Sequence, residues 1–126
     1  MTTNWDRWCV GLGALAGLSA VATAAAASHA LAPRLSATEL AALHIGIQMQ
    51  GWHALALLFC GLWVAKGGIL ARVAACCFAA GLVLFCTGVY TSALAATHLG
   101  IVAPLGGTIL MLGWAMLAAS ALTRPQ

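Results

Sequence analysis

The sequence predicts an all-α integral membrane protein, a four-helix bundle with a short interfacial helix between helices one and two. Two observations carry this expectation. Four apolar stretches, each long enough to cross a bilayer, fill nearly all of the 126 residues, and 63% of residues are hydrophobic while 6% are charged. A soluble domain of this size could not cover such a surface with polar groups. In lipid the same composition is natural, because the outer surface no longer faces water. A spanning helix needs roughly 20 apolar residues at about 1.5 Å each. The expected spans are about 8–30, 45–65, 70–95 and 101–122. Their separators are short, so residues 1–126 read as a single four-span transmembrane domain.

Helix one opens with Trp5 and Trp8 flanking Asp6 and Arg7, an aromatic anchor at the membrane interface. It continues as an Ala- and Gly-rich run with Gly13 and Gly17 in GxxxG spacing, and Ala20, Ala24 and Ser28 extend the small face. Small faces let helix backbones approach closely in lipid. Such a face either packs helices within the chain or docks another subunit. The A-x-A-like end near Ala27, Ser28 and His29 has the look of a signal-peptide cleavage site, but the apolar run is longer than a signal core, so a retained helix is expected.

Pro33 ends that helix. Ser36 followed by Glu39 fits a capping box, which starts a new helical turn. With Leu35, Leu40 and Leu43 on its apolar side, this turn is expected to lie at the interface without spanning. Gly67 and Gly68 make a tight turn between helices two and three, and ATHLGIVAP links three to four. Pro104 marks the first turn of helix four, where Gly106, Gly107 and Gly113 allow close helix packing. There is no convincing internal repeat, so an inverted-repeat transporter has no support.

Orientation follows from basic residues in short loops. With four spans, Arg7, Lys66, Arg72 and Arg124 fall on one side and only Arg34 on the other. Both termini are therefore expected to be cytoplasmic. The formal charge of +3 is this topogenic signal and is too small and spread out for a nucleic-acid surface. The five cysteines, Cys9, Cys60, Cys76, Cys77 and Cys86, form no CxxC pair and read as small packing residues.

The informative residues are polar ones at membrane depth. In helix two, Gln50 and His53 are three apart and share a face with Gly46, while His44 and Gln48 lie on another. Helix three brings Thr87, Tyr90 and Thr91 on one face. A cluster of His29, Gln50, His53 and Tyr90 is expected on the non-cytoplasmic half. The simplest role is an interhelical hydrogen-bond network contributing about 1 kcal/mol per bond. The alternatives are a quinone or proton contact, or haem b held by His29 and His53. No metal site is expected, since no short-spaced His or Cys pair faces one point. His44 and His98 fit loops or the interface. Asp6 and Glu39 lie near the surface, and no catalytic motif is present.

The order of these motifs resembles the small bacterial membrane proteins grouped as domain of unknown function 423, related to eukaryotic transmembrane protein 256. AAAASH keeps the family's helix-one histidine as His29, with Ala24 and Ala27 where the family has glycine. GIQMQGWHAL keeps Gly46, Gln50, His53, Ala54 and Leu55, with Met49 in the tyrosine place. LFCTGVY keeps Leu84, Phe85 and Tyr90, and APLGG with GW keeps Pro104, Gly106, Gly107, Gly113 and Trp114. The likeness runs from about Gly11 to Leu122 and marks a divergent member. It implies a four-helix bacterial inner-membrane protein, the polar cluster as shared signature, and no established activity.

Three function classes follow. The first is a non-catalytic accessory or stabilising subunit of a larger inner-membrane complex, respiratory or quinone-linked, whose partners are the lipid bilayer and another membrane protein subunit. The second is a haem- or quinone-binding redox protein. The third is a small transporter or channel, which this size allows only as an oligomer.

Overall fold

A computed structural model describes residues 4–122. It contains three long helices, α1 (Asn4–Ala26), α2 (Ala37–Ala95) and α3 (Val102–Leu122), and no strand among the described residues. A π-helical turn, Ala27–Leu31, extends α1. All three helices are long and apolar enough to cross a membrane.

This count corrects the expectation of four helices with a separate interfacial one. Ser36 does form the capping box, its Oγ accepting from the Glu39 N–H at 3.3 Å while its own N–H donates to Glu39 Oε2 at 2.8 Å. What it caps is α2 itself. Nothing between Ala37 and Lys66 stops the helix: there is no proline, and single glycines are tolerated. The expected helices two and three are likewise one element. The backbone leaves helical geometry at a single residue, Gly68, with φ 58° and ψ −142°, a conformation open to glycine because it lacks Cβ.

That one residue folds α2 back on itself. A straight helix would hold Gln50 and Tyr90 about 60 Å apart at 1.5 Å per residue, yet the Tyr90 hydroxyl lies 2.6 Å from Gln50 Oε1. Two arms therefore run side by side, residues 37–67 and 69–95. The first arm packs on α1, where a Cβ at Gly13 would lie 2.8 Å from the Ala54 carbonyl oxygen. The second arm packs on α3 through glycines on both partners. A Cβ at Gly81 would lie 3.0 Å from Gly106 O, and one at Gly106 would collide with the Phe85 backbone nitrogen. Gly17 and Gly107 have more room, their nearest neighbours standing 3.9 Å and 3.8 Å away.

The main core gathers Cys9, Leu57, Cys60, Phe78, Leu82 and Leu110. A smaller one, Ala27, Leu43 and Ala93, closes the end near Arg34. Gly61 packs against the backbone of Asp6, so Arg7 lies at the same end of the molecule as Lys66 and Arg72 around the Gly68 reversal. Arg124 lies outside the described residues.

Candidate functional site: the polar groups of the first arm

Gln50 is buried on the first arm and joins three segments. Its Nε2 donates to Ala16 O at 3.0 Å and to Ser19 Oγ at 2.6 Å, both on α1. Its Oε1 accepts from the Tyr90 hydroxyl at 2.6 Å on the second arm, and the Cys86 thiol approaches the same oxygen at 3.8 Å. Ala16 O can only accept, so the amide nitrogen must face α1. Both ends of the amide are thus engaged inside the protein.

His53 is 3% exposed and serves a different junction. Its Nδ1 lies 2.7 Å from Met49 O, and Trp114 Nε1–H donates to its Nε2 at 3.1 Å. A carbonyl only accepts and an indole N–H only donates, so these partners select the neutral Nδ1–H tautomer. Phe78 packs against both rings, with ring centroids 5.7 Å from His53 and 5.0 Å from Trp114. A third polar link, Trp63 Nε1–H to Ser120 Oγ at 3.0 Å, ties the first arm to α3 nearer the Gly68 end.

Of the four residues expected to cluster, Gln50 and Tyr90 are in direct contact. His53 shares their side of the arm but is rotated about 60° from Gln50, since three residues advance 300° on a helix. That rotation turns it to Phe78 and Trp114 instead. His29 stands apart, exposed on the π-helical turn. Gln50 meets α1 at Ala16 and Ser19, and His29 lies about 15 Å farther along that helix. The two histidines do not converge, and His53 has both ring nitrogens engaged, so a haem held by this pair does not fit. Among the described residues no group of three or more His, Cys, Asp or Glu converges to hold a metal ion.

Gly13, Gly106 and Gly113 sit at tight contacts, whereas Gly17 and Gly107 do not. His44 is exposed on the first turns of α2, and His98 Nδ1 meets the Ser92 hydroxyl at 3.0 Å in the link before α3. Sequence reasoning missed Ser19 and Trp114. Both carry a usable signal: Ser19 is a hydroxyl in the apolar middle of helix one, and Trp114 is a tryptophan in mid-span, away from the interface where tryptophan usually anchors.

Between α1 and the second arm lies a groove of about 480 Å³. Gln50, Tyr90 and Ser19 form its polar floor, and Leu12, Leu15, Leu82 and Val83 its apolar part. A second groove, of about 430 Å³, lies between the first arm and α3 and is lined by Trp52, Leu55, Phe59 and Trp114.

The sequence profile described as "Protein of unknown function (DUF423)" matches residues 23–107. A UPF0382 membrane protein of Haemophilus influenzae is 32% identical over 106 residues, covering 83% of this chain and 86% of that protein. The UPF0382 inner membrane protein YgdD of Escherichia coli K12 is 32% identical over 121 residues, covering 93% and 91%. A UPF0382 membrane protein of Staphylococcus aureus is 33% identical over 107 residues, covering 84% and 88%. No solved structure matches the chain. With most of its length matched and three helices apolar enough to span a bilayer, this chain belongs to the DUF423 family of membrane proteins of unknown function.

Proposed function

We propose that this protein has no catalysis of its own and works as an accessory or stabilising subunit of a larger inner-membrane assembly. The observation that carries this reading is the aromatic groove of the first arm and α3. Trp52, Phe59 and Trp114 are 57%, 49% and 47% exposed. Trp52 and Trp114 lie near the middle of their segments, where interfacial anchoring does not account for a tryptophan. Outward aromatic side chains beside a concave surface are what a partner helix uses as anchors. The internal polar groups support the same reading, because Gln50 and His53 spend their hydrogen-bonding capacity on holding the segments together.

Solubilising native membranes in mild detergent tests it, with respiratory and quinone-linked complexes the first partners to look for. The expected result is one defined species containing this chain and a larger protein. Trp52→Ala with Phe59→Ala should release the chain from that species without unfolding it. Migration as a monomer or homo-oligomer alone contradicts the proposal, and the homo-oligomer would favour a channel.

We further infer four crossings with both termini cytoplasmic. Two side-by-side arms of α2 are consistent with one crossing each, and Arg7, Lys66 and Arg72 share the end opposite Arg34. A cysteine introduced at Ala37 should react with an impermeant maleimide on intact cells. Reaction only after permeabilisation reverses the orientation.

A further inference from the structure

We propose that the groove between α1 and the second arm of α2 binds an uncharged, carbonyl-headed amphiphile from the bilayer, with its head against Thr87 and its tail along Leu15 and Val83. Three observations lead there.

The groove has a polar end and an apolar end, and the two are ordered along the helix axes. α1 and the second arm both run away from the end that carries Arg7 and Gly68. On α1 the lining passes from Leu12 and Leu15 to Ser19 and Thr23, and on the second arm from Leu82 and Val83 to Thr87 and Tyr90. Both walls therefore change from apolar to hydroxyl-bearing in the same direction, as a head-and-tail molecule requires.

One donor in the groove is spare. Ser19 Oγ–H is directed to Leu15 O at 2.9 Å, Thr23 Oγ–H to Ser19 O at 2.8 Å, and the Tyr90 hydroxyl to Gln50. The Thr87 hydroxyl lines the groove and makes no hydrogen bond among the described residues. Thr87 is exposed in the groove, so its hydroxyl is available to donate to a carbonyl acceptor that enters from the bilayer.

The lining contains no charged side chain. Thr87 also lies eight residues before the end of its helix, about 12 Å below it. A zwitterionic or anionic headgroup brought to that depth would be unpaired, whereas a neutral head can be accommodated. Access is lateral, since Leu15 and Val83 are 63% and 67% exposed at the rim. The volume of about 480 Å³ is within the usual range for a small-molecule site. A quinone and a neutral glyceride share this chemistry.

The test uses the full chain in nanodiscs of phosphatidylcholine with a trace of diazirine-tailed diacylglycerol, irradiated and mapped by peptide mass spectrometry. Labelling should concentrate on residues 12–23 and 82–90 over Leu62 and Leu122, although these two are more exposed. Val83→Trp, which fills the groove from a lipid-facing position, should abolish the enrichment. Thr87→Val keeps the shape and should weaken it about three- to tenfold, the loss of one hydrogen bond. Unchanged unfolding temperatures would show that both variants remain folded. Displacement of the label by decylubiquinone identifies a quinone as the better ligand, and persistence identifies the glyceride. Labelling spread evenly over the apolar surface, or unmoved by both substitutions, overturns the proposal.

Discussion

The second arm of α2 has two flanks of opposite character. Toward α3 it is closed by backbone approach: Gly81 meets Gly106, Gly88 meets Ala103, and Phe78 fills the space beside Gly113. Toward α1 the two meet near Cys9 and again near Ala27, and between those levels a groove with a polar floor remains. The difference lies in where glycine falls. On the closed flank both helices offer glycine at the same level, so packing runs through main chain. On the open flank α1 spends Gly13 on the first arm, and what bridges to the second arm is the Gln50 side chain. Close packing thus fixes one flank, and hydrogen bonding spans the other.

This contrast is most easily broken at Gly106. Gly106→Leu should have the largest effect, at or above about 3 kcal/mol, because its Cβ meets backbone that cannot step aside. The yield of monodisperse protein in detergent is the measurement, and a near-normal yield would mean that the flank is not closed. Next comes the floor of the open flank. Gln50→Leu should lower stability by about 1–3 kcal/mol, since Ser19, Tyr90 and the Ala16 carbonyl lose a partner. His53 follows. His53→Leu should cost about 1–2 kcal/mol by leaving the Trp114 indole N–H without an acceptor, and His53→Gln should recover part of that, because an amide can accept it. Thermal unfolding of the two variants side by side shows whether the ring matters as hydrogen-bond partner or only as bulk. The smallest effect is expected at Gly17, where α1 faces Ala54 of the first arm with room to spare. Gly17→Ala should be neutral or stabilising by about 1 kcal/mol, given the 3.9 Å of room and the better helix propensity of alanine. A large loss there would place α1 closer to its neighbours than the structure has it.

Much of the fold is legible in the sequence because lipid makes the signals strong. Apolar run length locates the membrane-crossing segments, and the Ser36–Glu39 pair marks a helix start at the residue where α2 begins. Helix count is not legible. Gly67 and Gly68 announce a turn, but whether a turn ends one helix or reverses it at a single residue depends on the φ and ψ of Gly68 alone. The Gln50–Tyr90 contact follows from helix faces and membrane depth, both available from spacing. The separation of Gln50 from His53 does not follow. A 60° difference on one arm is small in projection, and it becomes decisive only once the second arm is known to lie between α1 and α3. Pairing His29 with the others by leaflet uses a coarse measure against the 1.5 Å rise per residue that sets which side chains meet.

The central claim is that Gln50 and Tyr90 act as a structural bridge across the open flank. A double-mutant cycle with Gln50→Ala and Tyr90→Phe, read by reversible unfolding in detergent or bicelles, tests it most directly. A coupling energy of about 0.6–1.7 kcal/mol is expected, the range for hydrogen bonds between membrane helices. Strictly additive losses, with no coupling between the two residues, would contradict the account.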